Sequence, residues 1–560
     1  LRLPLADLPW PKEAKQEIVP ERSPFDAAGS LPTHAALVES LRARKVDDAA
    51  FVSDPNGLIR GALCTQVRGG VLYVFLPPIA WADHALELIA AIEVVAAAQQ
   101  LPVVLEGYTP PADARLAHFS VTPDPGVIEV NIQPAAHWED LKKITFGVYD
   151  DARAARLSTE KFLLDGRRVG TGGGNHIVMG ALRPTDSPFL RRPDLLRSLI
   201  SYWQNHPSLS YLFAGLYIGP TSQAPRIDEA RHDSMYELEL AFQQIPHRSK
   251  QDTAPWLIDR LFRNLLVDLT GNTHRAEFCI DKLYSPDSER GRLGLLEMRG
   301  FEMSPHPQMN LLQALLLRAF VANFWSQPYD GQLIRWGTRL HDQFMLPYFI
   351  QEDFRNVLVE LRAAGYAFNE EWFAPFFAFR FPECGHAQIG DATLTVRAAL
   401  EPWPVMGEEP AGSGVSRSVD VTVERLQITV TGLVEGRQVV TCNGRRMPLT
   451  PTRELGVQVA GVRFKAWSNP SSLNPQLPIN APLTFDVIDT AQERSLGGCV
   501  YHVAHPGGRN FETFPVNENE AEGRILARFE TIGYTPGKIR IPTAEHNLDY
   551  PHTLDLRRKT

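Results

Sequence analysis

The chain has 560 residues, which at roughly 100–200 residues per domain predicts two to four domains. Its 44% hydrophobic and 22% charged residues exclude a mostly disordered chain. Lys+Arg total 56 against 65 for Asp+Glu, a net charge of −9 at pH 7 with no basic block, which argues against nucleic acid or an anionic membrane surface as a partner.

The chain begins at Leu1 without a signal-peptide pattern, and the expectation is a piece of a longer polypeptide. Residues 1–33 are Pro-rich and read as an N-terminal strap. Strand patterns follow at 49–54, 58–67 and 70–77, then an amphipathic helix at about 82–99 and strands at 102–108 and 126–132. Helices are predicted at about 137–157, 194–205, 229–244, 254–269, 307–325 and 350–364, with strands at 170–181, 274–283 and 291–303 between them. The apolar stretches at 84–100 and 311–325 carry charges and are too short to span a membrane, so none is expected as a partner.

This pattern predicts an α+β catalytic body over 34–384. Past 385 short β runs separated by turn residues predict an all-β sandwich over 385–530, followed by a loose polar tail at 531–560. Five cysteines, odd in number and far apart, do not form a disulfide framework, so a reducing, cytoplasmic compartment is expected. Cys279, Cys384 and Cys442 read as buried, inert thiols. Cys499, His502 and His505 lie three apart on one strand, on alternating faces, which disfavours a closed zinc site.

Chemistry concentrates in three segments. TEKFLLDGRRVGTGGGNHIVMG (159–180) holds Gly170 and Gly172 to Gly174, then Asn175 and His176. Such a turn brings backbone N–H groups close to a phosphate, or is a plain glycine turn with a structural Asn and His. In GRLGLLEMRGFEM (291–303), Glu297 and Arg299 share one strand face. They form either a buried ion pair or a metal-ligating Glu beside a phosphate-binding Arg. In HRAEFCIDKL (274–283), alternation places Arg275, Glu277, Cys279 and Asp281 on one face, solvated or flooring a charged cleft. Glu106 and Glu129 are further carboxylates within apolar strands. Mg²⁺ takes oxygen ligands and binds through a few carboxylates plus substrate phosphates, so a sheet face carrying Glu106, Glu129, Glu297 and His176 would suit ATP chemistry.

GTGGGNH (170–176), GNTHRAEFCIDK (271–282) and GRLGLLEMRGFE (291–302), in this order, resemble motifs of glutamine synthetase. The run 192–239 resembles, more specifically, the amidoligase domain at the C-terminal end of large bacterial transglutaminase-like proteins, a resemblance covering nearly the whole chain. It implies a glutamine synthetase-like antiparallel sheet with helices, followed by the β-sandwich. It also implies an ATP- and Mg²⁺-dependent ligase that joins a small-molecule or peptide carboxylate to an amine through an acyl phosphate. An N-terminal transglutaminase-like region of the same polypeptide would be a partner.

Carried over, Glu129, His176 and Glu297 look like metal ligands, with Glu106 a weaker match because its strand has one acidic residue where the family usually has two. Gly172, Gly173, Gly174, Asn175 and His176 resemble the ATP-proximal turn. Arg275 and Arg299 look like phosphate-binding arginines, and Arg226 and Arg231 like binders of an anionic substrate group. Glu277 or Glu160 could take the amine proton. The alternative is an inactive binding module, in which the β domain presents a ligand and the body is a scaffold.

Overall fold

The computed structural model describes residues 29–43, 62–111, 113, 115–116, 118–124, 126–220, 222–230, 234–245, 254–287, 291–411, 414–503 and 511–558. The strand expected at 49–54, most of the strap, Arg231 and His505 lie outside these residues. Helices and predominantly antiparallel sheets alternate in an α+β arrangement, divided into two compact units, Leu1–Phe119 and Ser120–Thr560. No helix among the described residues is long and apolar enough to cross a membrane.

In the first unit, Cys64–Arg68 and Val71–Leu76 form a hairpin, and Val103–Gly107 joins the second strand in parallel. The hairpin closes through Gly69 and Gly70, at φ 57° and 83°. A two-residue turn with both φ positive matches the twist of the strands it joins and favours glycine at both positions. The crossover to the parallel strand is the helix Ala82–Gln99, as the apolar periodicity predicts.

In the second unit, a central antiparallel sheet places Leu296–Met298 between Ile177–Met179 and Phe278–Cys279. These strands are shorter than the alternation predicts. Pairing continues irregularly beyond them: Arg299 N–H donates to the Glu277 carbonyl (2.9 Å), and Gly294 N–H to that of Leu283 (2.9 Å). Gly294 sits at φ 69°, a conformation that breaks the regular ladder. Helices Pro193–Asn205, Pro307–Ser326 and Pro347–Ala363 bury Trp203, Phe320 and Phe354 in the same core as Phe278, Leu296 and Met298. Of the helix expected over 229–244, the described residues show Ile227–Ala230 and Ser234–Gln243, and that at 254–269 contracts to Leu257–Phe262.

Beyond Glu383 two sheets, of six and five strands, contribute to a second hydrophobic cluster that includes Leu394, Ile428, Val462, Phe485 and Cys499. Two features there differ from expectation. A helix, Glu518–Leu526, interrupts these strands between Arg494–Tyr501 and Phe529–Glu530, capped by Asn517 Oδ1, which accepts from Glu520 N–H at 2.9 Å. The segment 531–560 is not loose throughout: Thr553–Asp555 adds a parallel strand to Val457–Lys465, and Leu554 is buried in the cluster. Apolar burial outweighs the polar composition around it. Leu554→Ala should therefore cost about 2–4 kcal/mol, measured by urea denaturation, where a loose tail would lose almost nothing.

Candidate active site

Glu297 is the centre of the candidate site. The middle strand buries it (3% exposed), and its carboxylate draws three cationic or hydrogen-bonding groups. Arg299 Nη1 donates to Oε1 at 2.7 Å, His176 Nδ1 lies 3.3 Å from Oε1, and Lys282 Nζ donates to Oε2 at 3.2 Å. Burial opposes ionisation, but the His176 hydrogen bond and the charges of Arg299 and Lys282 outweigh it and hold the carboxyl at about 2. Arg299 also keeps one buried donor, Nε, without an acceptor.

The glycine-rich turn leads into the neighbouring strand. Gly172 adopts φ 104°, a conformation that favours glycine. Asn175 is held structurally: its N–H donates to the Phe301 carbonyl (2.8 Å), its Nδ2 to Gln313 Oε1 (2.7 Å), and its Oδ1 accepts from Asn310 (3.0 Å). The His176 ring fills the space beside Gly174 that a side chain there would need. Gly174→Ala should therefore push His176 off Glu297 and cost about 1–3 kcal/mol in urea denaturation, and a second change, His176→Ala, should recover much of that loss.

Glu129 lies on the exposed strand Val127–Asn131 and accepts from Asn131 Nδ2 at 3.0 Å. A side chain at Gly173 would touch Val127, and alternation puts Glu129 on the same strand face as Val127. Glu106 is placed in the first unit, where Arg68 holds it through two hydrogen bonds, at 2.6 and 3.1 Å. Arg275 pairs with Glu408 at 2.9 Å.

Glu277 is buried rather than part of a solvated row. Burial raises its carboxyl to about 7, with Glu229 and Asp228 adding to the rise and Arg226 and Ser210 opposing it. Its Oε2 has no partner. Between 4.5, its ordinary value, and about 7, the folded chain keeps a proton that the unfolded chain releases, so stability falls as pH rises through this window. Glu277→Gln should flatten that slope and raise stability at pH 8 by about 2 kcal/mol, read from denaturation curves at pH 5 and 8.

Arg226 corrects the expectation of a substrate-binding arginine. It is 1% exposed; its donors go to Asp228, to the Trp203 and Gln204 carbonyls and to Ser210 Oγ. It clamps the end of helix Pro193–Asn205 and presents no free face to a ligand. Lys282 and Glu302 are the groups that alternation missed. Lys282 sits just past the end of a strand, and Glu302 bridges to Gly174 and accepts from Gly170 N–H at 3.0 Å. Both lie inside the segments singled out in the sequence, which was the available signal.

Burial raises the thiols of Cys279 and Cys384 to about 11 and that of Cys499 to about 12, which disfavours them as nucleophiles. As for Mg²⁺, it binds proteins through one or two carboxylates together with substrate phosphates. The ionised, buried Glu297 carboxylate beside an unsatisfied guanidinium donor fits that mode. Among the described residues no group of three metal-binding side chains forms around Glu297.

The model of a protein family described as "Putative amidoligase enzyme (DUF2126)" matches residues 1–557, so the chain belongs to that family, whose description is that of an amide-bond-forming ligase. No curated protein and no solved structure matches the chain significantly.

Proposed function

We propose that this chain is an ATP- and Mg²⁺-dependent carboxylate–amine ligase that activates its carboxylate substrate as an acyl phosphate. The observation that carries the reading is the buried Glu297 carboxylate, held ionised by His176, Arg299 and Lys282 next to the glycine-rich turn. We infer with it a glutamine synthetase-like body, a sandwich formed by the two C-terminal sheets and a peptide or amino-acid-like substrate.

In this reading Glu297, His176 and Glu129, not gathered into one ligand group here, would come together around Mg²⁺, which would neutralise phosphate oxygens. Arg299 Nε, which lacks an acceptor, donates to a phosphoryl oxygen, and Arg275 exchanges Glu408 for an anionic substrate group. Glu277, raised to about 7, accepts the proton of the attacking amine. The backbone of Gly172 to Gly174 lines the phosphate side.

The test is calorimetry of ATP binding with and without Mg²⁺, followed by a screen of carboxylate and amine pairs for ADP release. Nucleotide binding that requires Mg²⁺, with ADP released only when both co-substrates are present, supports the ligase. A folded chain that binds no nucleotide under either condition overturns it, and the binding-module reading takes its place.

A further inference from the structure

A second cluster lies beside Glu297, on the neighbouring strand. His274 precedes the strand Phe278–Cys279, Asp281 follows it, and the connecting backbone brings all three of His274, Cys279 and Asp281 together. Their nearest ligand atoms, an imidazole nitrogen, the Cys279 sulfur and a carboxylate oxygen, all lie within 4.8 Å of one another. We propose that these three residues bind a zinc-class divalent ion. The proposal does not depend on the ligase reading.

The geometry points to a tetrahedral ion. His274 Nε2 and Asp281 Oδ2 are 3.3 Å apart. Two ligands held about 2.0–2.1 Å from a tetrahedral centre stand about 3.3 Å from each other, so this pair could accept an ion with little movement. The chemistry selects the ion. A thiolate with an imidazole and a single carboxylate suits zinc and its neighbours and is a poor set for Mg²⁺, which takes oxygen.

The surroundings orient the ligands. Thr273 Oγ1 donates to Asp281 Oδ2 at 2.8 Å, His274 N–H donates to Asn272 Oδ1 at 2.9 Å, and the backbone of Asp281 hydrogen-bonds the Cys279 sulfur. The sulfur is buried while the His274 side chain is 63% exposed, so the ion enters from the His274 side. On binding, the sulfur–metal bond replaces the S–H bond of Cys279, the proton leaves to solvent, and no oxidation state changes. Three protein ligands leave a fourth position open for water or an anion. Cys279 is the register partner of Glu297, so the bound ion would sit next to the Glu297 cluster.

The test is titration of the metal-free chain with Co²⁺, in a Cys64→Ser background because Cys64 is the exposed cysteine. The expected result is one equivalent bound, with a thiolate-to-cobalt charge-transfer band that Zn²⁺ abolishes. Cys279→Ser should remove the band, and His274→Gln and Asp281→Asn should each weaken binding at least about 10-fold. No thiolate band, or a band that survives Cys279→Ser, overturns the proposal and leaves an ordinary His274–Asp281 ion pair. If Cys279→Ser does not fold, His274→Gln decides: its side chain is exposed, and unchanged Co²⁺ affinity sinks the site.

Discussion

Glu297→Gln is expected to lower turnover by about 10³-fold or more, equivalent to roughly 4 kcal/mol of lost transition-state stabilisation. Glutamine keeps the shape but removes the charge that gathers His176, Arg299 and Lys282. The same change should destabilise the fold by about 3 kcal/mol in urea, because it leaves Arg299 without its counter-charge. Lys282, which is 46% exposed, can turn to solvent and soften the loss.

The pH profile should mirror this. The Glu297 carboxyl is held at about 2 against an ordinary 4.5, so its stabilising share is present in full above about 4.5 and is lost as pH falls toward 2. Denaturation midpoints of parent and Glu297→Gln should therefore converge on acidification. Parallel curves from pH 7 to pH 3 would refute the ion-pair account, and full turnover in the variant would remove Glu297 from the active site.

Arg226→Met carries the second large effect. It would strand the buried Asp228 carboxylate and two helix-end carbonyls, and take away the cation that faces Glu277. We expect a loss of about 3–5 kcal/mol in chemical denaturation. Arg226→Lys restores the charge but not the planar fork, so it should recover only part of that loss. A variant losing less than about 1 kcal/mol would mean that Arg226 is not the clamp its contacts describe.

Arg226 shows where sequence reading stops. An arginine near the motifs of a phosphate-handling family looks like a ligand-binding group, because no local pattern shows that five donors are already satisfied inside the core. Glu297, Arg299 and His176 were legible for the opposite reason. Strand alternation puts Glu297 and Arg299 on one face, and the unusual glycine density marks the turn that delivers His176. Lys282 escaped because alternation ends with the strand at Cys279, two residues before Asp281 and three before Lys282. The long helices Ala82–Gln99 and Pro307–Ser326 followed from apolar periodicity alone. Helix Glu518–Leu526 had a signal that went unread: Asn517 three residues before Glu520, whose own carboxylate reaches back to Val516 N–H at 2.9 Å. The buried strand Thr553–Asp555 has only three residues among prolines and charges, too few for a period to show.

Two contacts bear on how the second unit reaches this state. Arg528 Nη1 donates to Asp165 at 3.0 Å across 363 positions of sequence, and Arg524 Nη1 donates to the Leu164 carbonyl across 360. The turn between strands Glu160–Phe162 and Arg168–Gly170 is thus fastened by residues that emerge from the ribosome long after it. Closing so large a loop is entropically slow, and contacts this distant in sequence are the kind that delay folding. During synthesis the early hairpin waits with Asp165 held by Arg167 alone. A fragment cut near 384 would separate these partners permanently.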